Sequence, residues 1–257
     1  MRKIILTYQK NIRDLGGMPA FEGKKVKYNK LFRGGYLGHV SEEDINIIKS
    51  LHLTDIIDFR GNGEFLNRPD HQFLGVNFHN LPMMKEDVKK EDSKTEDSNL
   101  LWFLGDNTDG FKHMYNLYPE LVLDDVGIKS LRKFFRILLD NPAGVFYFHC
   151  SQGKDRAGMA AYLLEIALGV DEDLAREDYL LSNEAMKIRV DNYLLDLKDK
   201  AFFNETYKKA LFDVFSAKNE FLDHALEGIN TKYGSVLNYL TKELKVDVDK
   251  LRALYLE

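Results

Sequence analysis

His149-Cys150-Ser151-Gln152-Gly153-Lys154-Asp155-Arg156-Ala157-Gly158 is the stretch that decides this chain. Ahead of it runs Gly144-Val145-Phe146-Tyr147-Phe148, apolar and of strand length; behind it, Met159 to Leu168 is apolar nearly all round. These flanks predict a buried strand, a tight loop and a central, buried helix. Loop N–H groups and the N-terminus of the helix would converge on an anion, so phosphate or sulfate is the expected occupant. The loop holds the one cysteine among 257 residues, and Arg156 follows after five intervening residues. A field that favours anions favours thiolate over thiol. A guanidinium at Arg156 can grip two phosphate oxygens. Cys150 can then attack phosphorus, which predicts nucleophilic catalysis through a phosphocysteine.

A lone cysteine is more often a small buried hydrophobe. Strand, cysteine, loop, arginine and helix in this order argue for the nucleophile instead. Ser151, Gln152 and Gly153 are expected to turn their N–H groups to phosphate oxygens, with Gly153 in a conformation closed to other residues. His149 is expected to hold the loop and Cys150 rather than to act as a base. Gly158 is expected to permit close packing of helix on sheet. Lys154 puts positive charge at a helix start, where the dipole disfavours it. That placement suggests a functional charge, one that reads a second phosphate of a multiply phosphorylated substrate. Asp155 has a plain alternative explanation, since a carboxylate at a helix start is favourable by itself.

The remaining sequence sets the frame. Hydrophobic residues make up 44% and charged residues 30%, the balance of an ordinary globular protein. Net charge is −5, which argues against nucleic acid as a partner. One cysteine excludes an intramolecular disulfide. No histidine or cysteine spacing fits zinc, so neither a metal nor a cofactor is expected. The N-terminus lacks the apolar region of a signal peptide, and no run approaches the ~20 apolar residues of a membrane span. A cytoplasmic location is expected, with secretion left open.

Strands are expected at Lys3–Thr7, Leu31–Arg33, Asp55–Phe59, Gly75–His79 and Gly144–His149. Ser41 is a candidate N-cap for a helix through Leu51, and 126–139 has helical spacing that ends at Asn141-Pro142-Ala143-Gly144. The chain then reads as helical from about 171 onward. These elements predict an α/β fold: a central, mostly parallel sheet flanked by helices, in one domain over 1–257. Ten of the fifteen residues from Lys85 to Asn99 are charged, which suggests an exposed insertion, or a lid over the substrate. Asp58 and Arg60 fall at the carboxyl end of a strand, where open α/β sheets bind ligands. Arg13–Asp14 reads as a turn with ion-pair scaffolding, or as support for the site.

The loop resembles the His-Cys-x5-Arg signature of cysteine-dependent phosphatases. Its fuller form, His149-Cys150-x-x-Gly153-Lys154-Asp155-Arg156-x-Gly158, is similar to a bacterial branch of tyrosine-phosphatase-like proteins that also act on phosphoinositides. Asn11-Ile12-Arg13-Asp14-Leu15-Gly16-Gly17, Leu31-Phe32-Arg33-Gly34-Gly35 with Ser41-Glu42-Glu43-Asp44, and Ile56-Ile57-Asp58-Phe59-Arg60 resemble further elements of that branch. So do Asp178-Tyr179-Leu180-Leu181-Ser182-Asn183 and Tyr233-Gly234-Ser235-Val236. The resemblance implies a phosphomonoesterase acting on phosphotyrosine proteins, on phosphoserine or phosphothreonine as well, or on phosphoinositides. It implies Asp155 as the acid that protonates the leaving group; Asp58, Asp97, Asp106 and Asp109 are alternatives. Relatives carry Ser or Thr directly after the arginine, where this chain has Ala157, and the missing hydroxyl is one thought to help the sulfur depart. A phosphate-binding module with weak turnover is the competing function. A sulfur- or arsenate-handling enzyme is a third, disfavoured by the lack of a resolving thiol.

Overall fold

A computed structural model describes residues 2–85, 109–198 and 204–257. In chain order the elements are β1 (Arg2–Ile4), β2 (Ile12–Asp14), β3 (Leu31–Gly35), α1 (Glu42–Ser50), β4 (Asp55–Asp58), α2 (Asn62–Asn67) and β5 (Asn77–Asn80). They continue as α3 (Gly110–Leu123), α4 (Asp125–Asp140), β6 (Phe146–Cys150), α5 (Arg156–Leu168) and α6 (Glu172–Leu180). The last are α7 (Ser182–Leu197), α8 (Glu205–Phe215), α9 (Asn219–Tyr233) and α10 (Val248–Tyr255). Most of the insertion expected around Lys85–Asn99, together with Asp97 and Asp106, lies outside the described residues.

The strands form one six-stranded sheet in the order β1-β2-β3-β6-β4-β5. β3, β6, β4 and β5 run parallel, and β2 and β1 add an antiparallel edge. β6 lies between β3 and β4 and is buried along its whole length, as a strand covered on both faces must be. The pleat divides its side chains: Phe146 and Phe148 enter the larger core, Tyr147 the smaller. The larger core joins one face of the sheet to α3, α4, α5, α6, α9 and α10. The smaller packs Ile12, Phe32 and Ile56 against Ile48 of α1.

α5 is buried from Ala157 through Glu165, as its apolar sequence requires, and ends on Gly169 in the left-handed conformation (φ 78°). Ser41 caps α1 in a capping box with Asp44, whose carboxylate also accepts from Thr7 N at 2.8 Å. Strand ends shift by a few residues from the sequence reading, and one element differs in kind. β1 ends at Ile4 and β5 begins at Asn77. Ile12–Asp14 is a strand rather than a turn, because Arg13 pairs across to both Lys3 and Arg33.

Candidate active site

Cys150 is the last residue of β6, in register with Gly35 of β3, and is 2% exposed. The chain then turns through Ser151–Asp155 into α5. What fixes this turn is where its carbonyls go. Tyr36 N donates to Ser151 O (3.3 Å), Asn11 Nδ2 to Gln152 O (2.9 Å) and Arg33 Nη2 to Gly153 O (2.9 Å). Three consecutive carbonyls are therefore held by the surrounding scaffold. Each peptide plane turns its N–H opposite to its C=O, so the N–H groups that follow them face the other way, as an anion cradle needs. Gly153 has φ 72°, and a Cβ there would lie 2.4 Å from the Gly34 carbonyl carbon, so glycine is required. A Cβ on Gly158 would come within 3.0 Å of Arg33 Nη2 and 3.2 Å of Tyr179. Its bareness admits the arginine that holds the loop.

His149 is fully buried, with Nδ1 3.2 Å from Cys150 O and Nε2 3.4 Å from Asp70 Oδ2. It braces the start of the loop. Arg60 is also fully buried: its Nη2 lies 2.7 Å from both Asp58 Oδ2 and Asp70 Oδ2, and its Nη1 donates to Arg68 O at 2.8 Å. Asp58, Asp70 and His149 bring one potential metal-ligating atom each to within 4.8 Å of one another. The cation among these carboxylates is the Arg60 guanidinium itself. Asp58 and Arg60 are thus bound to each other, both Asp58 carboxylate oxygens accepting from Arg60. Asp109 caps α3, accepting from Lys112 N at 2.9 Å.

Like Asp70 and Tyr118, Glu64, on α2, is a site residue that the sequence did not reveal. Both its carboxylate oxygens accept from Arg156, through Nη1 and Nη2, and Oε1 also accepts from Ser151 Oγ at 2.6 Å. Burial alone would raise the Glu64 carboxyl, but the Arg156 charge and the hydrogen bonds from Arg156, Ser151 and Gly61 N outweigh it, and the group lies far below the usual carboxylate range. Burial likewise opposes charge on Arg156, and Glu64 and Cys150 more than compensate. Position was the one available signal, because Glu64 follows the β4 strand end by six residues.

Lys154 lies differently from the position its expected role suggests. Its side chain is 2% exposed, and Nζ donates to Val214 O (2.7 Å) and Ser216 O (3.2 Å) at the C-terminal end of α8, while pairing with Asp155 Oδ1 at 2.8 Å. The last carbonyls of a helix attract a cation, and that attraction turns the ammonium inward. The ammonium is held by three oxygens, those of Val214, Ser216 and Asp155. Asp155, at the N-terminal cap of α5, also accepts on Oδ1 from Tyr118 OH (2.7 Å), which is itself 2.7 Å from Tyr179 OH. Burial and the Asp155 charge push both phenols above their usual range, so they remain hydrogen-bond donors. Oδ1 is thereby occupied, while the Asp155 side chain keeps 22% of its surface exposed.

A nearly buried thiol at the end of β6, a turn whose carbonyls the scaffold holds and a paired arginine at the start of α5 fit the class of cysteine-dependent phosphomonoesterases. Within that class the chain belongs to the tyrosine phosphatase family, whose model matches residues 4–257. It is 28% identical over 271 aligned positions to a protein of Cupriavidus necator assigned as a tyrosine-protein phosphatase, covering 96% of this chain and 85% of that one. It is 24% identical over 253 positions to the triple specificity protein phosphatase PtpB of Mycobacterium tuberculosis, covering 90% of each. Among solved structures, TpbA of Pseudomonas aeruginosa, as a cysteine-to-serine variant with phosphotyrosine, aligns at a TM-score of 0.38 and 13% identity, covering 90% of this chain and 88% of that one. Among the described residues no helix is long and apolar enough to cross a membrane.

Proposed function

We propose that this enzyme hydrolyses phosphotyrosine in proteins, with Cys150 as nucleophile, Arg156 as phosphate clamp and Asp155 as proton carrier. The observation that carries the mechanism is the outward binding of the Ser151, Gln152 and Gly153 carbonyls around a nearly buried Cys150. Cys150 Sγ forms a bond to phosphorus as the bond to the leaving oxygen breaks, and Asp155 gives that oxygen its proton. Water then attacks the phosphocysteine, Asp155 takes a proton back, and thiolate and inorganic phosphate result. The names of the relatives support phosphotyrosine as substrate, and a thiol only 2% exposed suits a phosphate carried on a long phenol. The triple specificity in the name of PtpB keeps phosphoserine, phosphothreonine and phosphoinositides as further substrates. Lys154, being turned inward, gives the lipid reading no support. The whole chain acts as one catalytic unit in the cytoplasm, on this proposal.

The test is Cys150→Ser, assayed with a phosphotyrosine peptide, a phosphothreonine peptide and a soluble phosphoinositide. Hydrolysis is expected to vanish on every substrate while inorganic phosphate still binds, since the cradle and Arg156 remain. Full activity in the serine variant would overturn the assignment.

A further inference from the structure

Beneath the loop lies a cluster of charge that the chemistry above does not use. Asp178 of α6 is fully buried, and both its carboxylate oxygens are held by arginines. Arg13 Nε reaches Oδ1 at 2.6 Å, and Arg33 Nη1 binds Oδ2. Each arginine then continues toward the loop. Arg33 Nη2 donates to Gly153 O at 2.9 Å. Arg13 Nη1 donates to Asn11 Oδ1 at 2.7 Å, and Asn11 Nδ2 donates to Gln152 O at 2.9 Å. One carboxylate therefore reaches two consecutive loop carbonyls by two separate routes.

We propose that Asp178 is a positioning residue of the phosphate loop, acting through Arg33 and through Arg13 and Asn11 to set the Gly153 and Lys154 N–H groups that receive phosphate oxygens. The inference rests on reading the loop as a phosphate cradle. Its geometric ground is peptide planarity: fixing the Gln152 carbonyl fixes the Gly153 N–H, and fixing the Gly153 carbonyl fixes the Lys154 N–H. A purely stabilising role would be served as well by apolar side chains, because buried ion pairs lose in desolvation most of what they gain in attraction. Here the pairs end on loop atoms. Glu165 of α5 adds to the effect. It is fully buried beside Asp178, Arg13 and Arg33, and burial with the neighbouring Asp178 charge drives its carboxyl toward the neutral acid. Arg13 and Arg33 both bind Asp178 rather than Glu165.

The test measures the affinity of inorganic phosphate by calorimetry in the full chain carrying Cys150→Ser, with thermal melting alongside. Asp178→Asn removes the shared anion, and Asn11→Ala cuts only the Gln152 route. Leu251→Ala, in the core on α10, is the control for lost stability alone. Phosphate binding is expected to weaken about 10-fold in Asn11→Ala and more in Asp178→Asn, the scale of a hydrogen bond to a charged group. Leu251→Ala is expected to melt lower at unchanged affinity. Should Asp178→Asn fail to fold, Asn11→Ala decides alone. Unchanged affinity in the folded variants, or an equal loss in Leu251→Ala, overturns the inference. No phosphate binding in the Cys150→Ser parent would overturn the cradle itself, and is told apart by needing no second substitution.

Discussion

Glu64→Gln separates two roles that the same contacts allow. The Glu64 carboxylate could orient Arg156 toward phosphate, or it could compete with phosphate for the guanidinium. Geometry favours orientation: Glu64 also accepts from Ser151 Oγ and from Gly61 N, and so sits as part of a fixed network. Glutamine keeps the size and one acceptor but loses the charge and one of the two oxygens facing Arg156. A hydrogen bond to a charged group contributes about 1.5–3 kcal/mol. If that amount is lost in the transition state, kcat/KM falls roughly 10- to 150-fold. The assay is steady-state hydrolysis of an aryl phosphate from pH 4 to 8. The native clamp is expected to persist through this range: a carboxyl depressed below its unfolded value contributes stability above ordinary glutamate pKa, about 4.3, and loses it only as pH falls toward the lower folded value. A Glu64→Gln enzyme as fast as the native one, or faster, would refute orientation and make Glu64 a competitor.

Four further outcomes are expected. Lys154→Met should lower stability by about 3 kcal/mol in chemical denaturation, because it strands buried partners, and should slow phosphotyrosine and phosphoinositide hydrolysis alike; a loss confined to the phosphoinositide would restore Lys154 as a reader of substrate. Asp155→Asn should slow a poor leaving group about 10²–10⁴-fold more than an activated aryl phosphate, and equal losses would move the acid elsewhere. Ala157→Ser should speed phosphoenzyme breakdown several-fold and shrink the product burst seen by rapid quench, on the premise that its hydroxyl helps thiolate departure; no burst in the native enzyme and no gain in the variant would show that the first step limits. Glu165→Gln should raise the melting temperature more at pH 8 than at pH 5. A carboxyl raised above its unfolded value leaves the folded state with the extra proton, so native stability drops as pH climbs from the unfolded value toward the folded one, and glutamine lacks that loss. Parallel melting curves across pH would refute it.

The sequence showed most where neighbours in the chain are neighbours in space. Cys150 between an apolar run and a helix start, Ser41 before its acidic first turn, and the spacing across 126–139 each carry their own signal, and each element is where it was expected. What stayed hidden depends on distant partners. Ile12–Asp14 looks like a turn before Gly16-Gly17 and becomes a strand only because β1 and β3 flank it. Lys154 looks like an exposed charge until α8, some 60 residues on, brings its last carbonyls alongside. Glu64 meets Arg156 across 92 positions and Asp178 meets Arg13 across 165, separations over which no local pattern exists.

That last separation bears on how the enzyme is made. A chain leaving the ribosome exposes Cys150 before Asp178 has emerged, so the growing polypeptide carries its thiol without the carboxylate that gathers Arg13 and Arg33. On the proposed role of Asp178, catalytic competence arrives late in synthesis, and a nascent chain that stalls between these two residues carries a thiol whose loop lacks the contacts that Arg13 and Arg33 make with Asp178.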